Sequence, residues 1–221
     1  MNLLPLRQKI QARVMFKILS LLLIVSASIS LHASEADWQL QKDHNGIQVY
    51  TKEVQLPSNK ADVNSVLKAF RGVTLINTSM DLILNTMRDV ENFDQWLHNC
   101  YEPRIVDTRE NDTRIVYQKT RTPWPTDDRD SVLEQSLVQH GSAYVLEMKT
   151  TSHPAIDTVE GYVRVPYFNG ILKFTPVSDT QLEVIYEAVF DSGGNVPSFV
   201  SNLFILDTPY YSLDNLRNYL Q

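Results

Sequence analysis

The sequence has little cysteine, because Cys100 is the only one among its 221 residues. One thiol cannot form an intrachain disulfide or a cysteine-rich zinc site, and a small buried side chain is its expected role. The chain also lacks the G-x-S-x-G, H-E-x-x-H, P-loop and dinucleotide-binding motifs. Its four non-leader histidines (His44, His98, His140 and His153) are scattered along the chain. The sequence therefore predicts no catalytic residues, no metal and no cofactor.

Basic residues are scarce after the first 33 positions. Residues 1–33 contain four Lys and Arg and no acidic residue, so 16 Lys and Arg face 26 Asp and Glu in the rest of the chain. A surface with a net charge of −10 repels phosphodiester backbones. The composition therefore argues against nucleic-acid binding and against broad adsorption to anionic membranes.

The N-terminal segment resembles a secretory signal. An apolar run at residues 16–29 follows the basic region and is shorter than the roughly 20 residues that span a bilayer. Ala33 supplies a small residue before a cleavage point, so we expect residues 1–33 to be a signal peptide and residues 34–221 to form an exported domain in a bacterial periplasm. An uncleaved membrane anchor is the alternative, and Met15 is an alternative start.

The rest of the chain alternates apolar and polar residues in short segments. This period of two predicts strands from Trp38 to Leu75 and again from Tyr101 to Phe190, about nine in all, with a bend at Tyr167–Gly170. Two short helices are expected between the two groups, the first capped by Ser79, and a long helix over Val196–Leu220. The order predicts an α+β fold with an antiparallel sheet that packs on the long helix.

The long helix has a broad apolar stripe, interrupted by Pro209. One interpretation is an ordinary core helix. The other is a lid over a lipid-sized cavity, which could move about Pro209 and about the preceding Gly193-Gly194. The spacing of apolar residues fits both interpretations.

Thr120–Asp130 separates two of the predicted strands. Pro123 and Pro125 force the chain out of the sheet and hold Trp124 between them. Trp124 could act as a gate, contact a membrane or pack on the sheet edge. The acidic residues around Arg129 could form a salt-bridged turn, or the pair Arg129-Asp130 could hold this loop shut.

Four motifs in this order resemble those of the START (StAR-related lipid-transfer) domain family. The resemblance extends over residues 36–221. The motifs are Trp124-Pro125 with Arg129-Asp130; Glu91–Trp96; Val163-Arg164 with Tyr167–Gly170 and Leu172–Pro176; and Asp191–Pro197 with Val200–Asn202 and Leu216-Arg217.

The resemblance implies a helix-grip fold, in which a curved antiparallel sheet wraps around the terminal helix and encloses a hydrophobic tunnel. It implies non-catalytic binding and transfer of one lipid or sterol-like molecule by a monomer that contacts membranes transiently. A cyclase-like or hydrolase-like cavity enzyme of the same superfamily is the alternative. Tunnel or gate residues are expected at Trp124, Arg129, Gln135, Phe199, Val200, Leu203, Phe204 and Tyr210.

Gln135 departs from the family pattern. Several START domains have a buried arginine at this position, paired with an acid inside the tunnel. A carboxylate or phosphate head group would therefore lose a charged partner here. This substitution favours a ligand with a neutral polar end, or a zwitterionic head group that is bound in another way.

Overall fold

One sheet of ten strands dominates the part of the chain that the structure describes. The computed structural model describes residues 37–55, 66–194, 196 and 198–221, with the backbone alone at 55, 66 and 198–203. The proposed signal peptide, its cleavage point and Met15 lie outside these residues. Within them, no helix has the length and apolar character needed to cross a bilayer.

The strands follow the order β1-β2-β3-β10-β9-β7-β6-β5-β4, and each neighbouring pair is antiparallel. They span β1 Gln39–His44, β2 Ile47–Gln55, β3 Val66–Ile76, β4 Cys100–Arg109, β5 Thr113–Thr120, β6 Asp128–His140, β7 Ala143–Thr150, β8 Tyr162–Arg164, β9 Tyr167–Ser178 and β10 Gln181–Asp191. The short β8 pairs with β6 in parallel, beside the main path of the sheet.

Two helical segments lie between β3 and β4. Helix α1, Met80–Arg88, begins where the Ser79 side chain accepts a hydrogen bond of 3.3 Å from the Leu82 backbone N–H, which confirms the predicted cap. Val90–Gln95 is a 3-10 helix. Its Phe93 and the following Trp96 are both buried, and their rings meet edge to face at 5.0 Å.

The predicted bend at Tyr167–Gly170 is wrong, because β9 runs straight through this segment. Gly170 pairs with Ala188 of β10 and with Met148 of β7. A Cβ atom at Gly170 would lie 2.8 Å from the Ala188 Cβ. The glycine is therefore needed for close packing across the sheet and not for a turn.

The long helix α2, Ser198–Tyr219, packs against β2, β3 and β10. Leu213, Leu216 and, just beyond the helix, Leu220 are buried in the main hydrophobic core. Gly72 of β3 lets the helix come close, because a Cβ atom there would lie 3.0 Å from the Pro209 Cβ. The C-terminal half of α2 is therefore ordinary core, as one of the two interpretations predicted.

The turn between β1 and β2 fixes the same half of the helix. Asn45 has a positive φ, 54°, which is typical of asparagine in a tight hairpin turn. Its Nδ2 donates to Asp214 Oδ1 at 3.2 Å, and Arg217 Nη1 donates to its carbonyl oxygen at 2.8 Å. These polar contacts and the buried leucines hold the end of the helix on the sheet.

Candidate functional site

A partly enclosed cavity lies between the concave face of the sheet and the described part of helix α2. The space between atoms is ≈ 870 Å³ when the open mouth is included, and the centre of a water molecule can move through ≈ 90 Å³ of it. Ligand sites in proteins commonly measure roughly 300–1,000 Å³. The ≈ 90 Å³ is the comparable volume, so the cavity is narrower than a typical ligand site and would have to widen to hold a lipid-sized molecule.

Most of the cavity wall is apolar. The aromatic residues are Phe70, Phe93, Trp96, Phe168, Tyr186, Phe190 and Phe204. The aliphatic residues are Leu97, Leu133, Leu146, Met148, Val165 and Leu172. Such a wall favours the transfer of an apolar ligand out of water, by about 25 cal/mol for each Å² of apolar surface that is buried.

Phe204 links the terminal helix to the sheet across the cavity. Its ring meets Phe190 of β10 edge to face, with 6.3 Å between the centroids. Phe190 also contacts Phe70 at 6.3 Å and Phe168 at 6.4 Å. This aromatic cluster is the contact that would have to open if the helix moved away from the sheet.

Polar side chains gather on the part of the wall formed by β5 and β6. Gln118 is paired with Ser131 across the two strands, and Thr120 with Arg129. Paired residues and residues two apart point to the same face of a sheet, which also places Gln135 of β6 on this side. All five side chains line the cavity. The site therefore combines an apolar body with a polar end.

Two buried polar atoms of the cavity wall have no hydrogen-bond partner among the described residues. They are the indole Nε1 of Trp96 and the Oε1 of Gln118. The side chains are only 2% and 9% exposed, respectively. Both atoms are almost fully shielded from solvent, and burial of an unpaired polar group is costly.

His98 connects the cavity wall to helix α2. Its ring lies 4.9 Å from the Tyr211 ring, and its backbone N–H donates to the Ser212 hydroxyl at 3.1 Å. Burial lowers the pKa of His98, against the opposing effect of the Asp207 carboxylate. The neutral imidazole is therefore the favoured form.

Arg129 binds three backbone carbonyls and no carboxylate among the described residues. Its Nη1 donates to the Asp127 oxygen, its Nε to the Ser192 oxygen at 3.3 Å and its Nη2 to the Gly193 oxygen at 3.1 Å. Burial lowers the pKa of the guanidinium, which remains cationic. Residues 121–127, between β5 and β6, form the Trp124 loop. Arg129 thus joins this loop to the segment that leads into α2.

Asp130 points to the other face of β6 and pairs with a different arginine. Arg164 of β8 donates to both of its carboxylate oxygens at 2.8 Å, and the Tyr117 hydroxyl donates at 3.2 Å. The predicted salt-bridged turn around Arg129 is therefore wrong. Residues adjacent in a strand face opposite sides of the sheet, which separates Arg129 from Asp130.

The eight predicted site residues fall into four groups. Trp124 is 89% exposed, which excludes packing on the sheet edge. Tyr210 is buried outside the cavity wall, beneath the Lys42 ammonium, which lies 3.4 Å from the ring centroid. Only Arg129, Gln135 and Phe204 line the cavity. The remaining predicted side chains lie outside the described ones: Phe199, Val200 and Leu203.

The sequence reasoning missed Gln118 as a cavity residue. The strand gave no signal, because Gln118 shares its face of β5 with Arg114, Val116 and Thr120, of which only Val116 is apolar. Trp96 ends the Glu91–Trp96 motif, but whether its N–H finds a partner depends on the surrounding structure. No periodicity in the sequence indicates such an atom.

The described residues contain no group of histidine, cysteine and acidic side chains that could hold a metal ion. The described cavity wall also contains no carboxylate, and its titratable side chains are His98, Arg129 and Tyr186. Burial raises the pKa of Tyr186, so its phenol stays protonated. Polar contacts and apolar burial are the chemistry that this wall offers.

A curved sheet that grips a terminal helix over an apolar cavity defines a class of α+β proteins that bind small hydrophobic molecules, the helix-grip class. Within that class the chain belongs to the START domain family, whose model matches residues 29–207. This membership confirms the family and fold that the four motifs indicated, and START domains bind and transfer lipids.

Two relatives and two solved structures describe this membership further. The chain is 31% identical to the uncharacterized protein PA1579 of Pseudomonas aeruginosa, over 85% of this chain and 88% of that protein. It is 24% identical to the phosphatidylcholine transfer protein of Bos taurus, over 76% and 77% of the two chains.

A STAR-related lipid transfer protein from Xanthomonas axonopodis, solved as a fragment, superposes with a TM-score of 0.71 at 26% identity, over 83% of this chain and 98% of that one. The Zhui aromatase/cyclase from Streptomyces superposes with a TM-score of 0.52 at 8% identity, over 69% and 92% of the two chains, a likeness of fold alone.

Proposed function

We propose that this protein binds one lipid or similar hydrophobic molecule in the cavity under helix α2 and carries it between membranes without altering it chemically. The observation that carries the proposal is the partly enclosed apolar cavity with buried polar side chains on one wall. The names of the bovine and Xanthomonas proteins, both lipid transfer proteins, agree with it.

The proposed gate consists of the N-terminal half of α2 and the Trp124 loop. Phe204 in this half of the helix reaches the sheet through the aromatic cluster, whereas the other half is held by buried leucines. Opening would separate Phe204 from Phe190 while the C-terminal half stays on the sheet. Arg129 would couple the two parts of the gate, since it binds backbone carbonyls of Asp127 in the Trp124 loop and of Gly193 in the segment that leads into α2.

Trp124 is the proposed membrane contact. An indole ring that is 89% exposed presents a large apolar surface to water, and tryptophan favours the boundary between lipid and water. The domain is acidic overall, so the contact would rest on this side chain more than on charge.

We propose that the contact takes place in the bacterial periplasm, after residues 1–33 are cleaved. Intact-mass measurement of the mature protein, expected to begin at Ser34, tests the cleavage.

Native mass spectrometry of protein purified from a membrane extract tests the binding proposal. We expect one hydrophobic molecule per protein, recovered chemically unchanged. The variant Ser131→Trp places a large ring in the cavity and should be empty, whereas Ser142→Trp, in an exposed turn, should stay loaded. If wild-type protein were empty after exposure to membranes and bound no lipid when titrated, the carrier proposal would be overturned.

A further inference from the structure

One carboxylate holds the base of the Trp124 loop. Asp128, the first residue of β6, accepts the backbone N–H of Thr122 on its Oδ1 at 2.8 Å. Its Oδ2 accepts the hydroxyl of Tyr101 in β4 at 2.6 Å. The first hydrogen bond closes the loop across its own base, and the second ties that base to another strand. Asp128 therefore fixes the point where the chain leaves the sheet and returns to it.

Tyr101 is itself held in place by its neighbours. Its hydroxyl oxygen lies 3.3 Å from that of Tyr162 in β8, and the Arg121 guanidinium lies 4.8 Å from the centroid of its ring. Burial raises the pKa of Tyr101, and the hydrogen bond to Asp128 adds to the effect. The phenol therefore stays protonated and remains a donor to Asp128.

The tip of the loop is ordered by hydrogen bonds of its own. The hydroxyl and the backbone N–H of Thr126 both donate to the Pro123 carbonyl oxygen, at 2.8 and 3.2 Å. Trp124 lies between these two residues in the chain and is 89% exposed. The loop thus presents a large apolar ring to water from a backbone that is hydrogen-bonded at its base and at its tip.

Such a loop has an advantage at a membrane surface. When a flexible segment becomes ordered on binding, the lost backbone entropy opposes the contact. A segment that is ordered beforehand avoids most of this loss. It also holds the indole in one orientation relative to the sheet.

We propose that Asp128 is a positioning residue for the membrane contact. Its carboxylate fixes the Trp124 loop in the shape that presents the indole, before the protein reaches a membrane. This inference rests on the proposed function, because it assumes that Trp124 meets the membrane. It assigns the loop as the fixed part of the gate and the N-terminal half of α2 as the moving part.

The variant Asp128→Ala removes both hydrogen bonds of the carboxylate. We expect the Thr122 amide to exchange its hydrogen about tenfold faster, as followed by NMR, because it loses its acceptor. The partition coefficient of the protein onto phosphatidylcholine vesicles, measured by co-sedimentation, should fall about fivefold, because the loop must then be ordered during binding. Neither measurement depends on which lipid the cavity holds.

Two further variants separate the hydrogen bonds from the charge. Asp179→Ala, in the exposed turn between β9 and β10, removes the same charge and should leave both measurements unchanged. Asp128→Asn keeps an oxygen that can accept from Thr122, so it should retain most of the partition coefficient. An Asp128→Asn protein as impaired as Asp128→Ala would assign the effect to charge and overturn the inference.

Folding of each variant is checked by circular dichroism. If Asp128→Ala is unfolded, Tyr101→Phe decides the question, because it removes one of the two hydrogen bonds and should change both measurements by smaller factors. Unchanged Thr122 exchange or an unchanged partition coefficient in the deciding variant would overturn the inference and leave the carrier proposal intact. Wild-type protein that does not bind vesicles would overturn the proposed membrane contact together with this inference.

Discussion

Arg129 and Asp130 are adjacent in the chain but stabilise different parts of the molecule. Arg129 faces the cavity and holds the carbonyls of Asp127, Ser192 and Gly193, whereas Asp130 faces away and binds Arg164. The alternation of side chains along β6 explains this division. An arginine-aspartate pair in a strand therefore need not be an ion pair.

Replacement of Arg129 by lysine keeps the charge but removes the planar group that reaches three carbonyls. We expect Arg129→Lys to lower the free energy of unfolding by about 1–3 kcal/mol, because buried acceptors lose their donors. Release of bound lipid should also become faster, because the Trp124 loop and the segment before α2 are no longer joined.

Chemical denaturation and stopped-flow release of a fluorescent lipid measure the two effects. Arg109→Lys, at an arginine whose side chain is 47% exposed, is the control and should alter neither. Faster release of lipid without any loss of stability would show that Arg129 acts on the gate alone. Unchanged release would contradict the coupling.

His98 makes stability depend on pH. Its pKa is lowered in the folded protein by burial, so the unfolded chain binds the proton first as pH falls. Stability should therefore be greatest above the ordinary histidine pKa of about 6.5 and decrease as pH falls through that value toward the lowered pKa.

Thermal unfolding between pH 7.5 and 5 measures this dependence. His98→Asn should reduce the loss of melting temperature on acidification, whereas His140→Asn, at the exposed end of β6, should leave it unchanged. Equal losses in wild type and His98→Asn would assign the pH dependence to other groups.

At the scale of elements, helix α2 has two roles that its sequence does not separate. Its stripe of apolar residues has the same helical spacing over the cavity, at Phe204, as in the core, at Leu213 and Leu216. Periodicity records which face avoids water, but not whether that face meets side chains or an empty space. The helix could therefore be predicted from the sequence, but the position where packing ends and the cavity begins could not.

The strands show the same division between pattern and context. Alternation predicted β10, and Leu182, Val184, Tyr186 and Ala188 are all buried on one face as expected. The prediction from sequence failed at Gly170, which was interpreted as part of a bend. The glycine is present because the neighbouring strand leaves no room for a side chain there. Local sequence indicates backbone preference, and the close approach of a distant segment can override that preference.

Gly72 sets the distance between β3 and α2. A methyl group at this position would lie 2.7 Å from Leu213 Cδ1 and 3.0 Å from Pro209 Cβ, both closer than normal contact. We therefore expect Gly72→Ala to lower the free energy of unfolding by about 1–3 kcal/mol, since overpacking displaces the helix.

A double-mutant cycle with Leu213→Ala tests the cause. If the clash with Leu213 is responsible, Leu213→Ala should cost less stability in the Gly72→Ala background than in the wild type. Additive losses would contradict the packing explanation.

For the whole molecule, carrying a lipid requires a closed form in water and an opening at a membrane. Part of the main core, including Phe70, Trp96 and Leu172, also lines the cavity, so the proposed opening would expose these side chains while the leucines at the end of α2 stay packed. Hydrophobic surface exposed during opening would be covered by the membrane itself, which lowers the cost of release there compared with release in water.

The variant Trp124→Ala tests whether lipid binding and membrane contact depend on different residues. Because the indole lies outside the cavity wall and is 89% exposed, Trp124→Ala should leave lipid affinity in solution unchanged. Its loss should slow transfer of a fluorescent lipid between vesicles about tenfold, since the ring contributes a large apolar area to the membrane-bound state.

Val177→Ala, which shortens another exposed apolar side chain away from the cavity, is the control and should transfer at the wild-type rate. A Trp124→Ala protein that transfers normally would show that membrane contact is made by another surface, whereas one that no longer binds lipid would place Trp124 in the binding site.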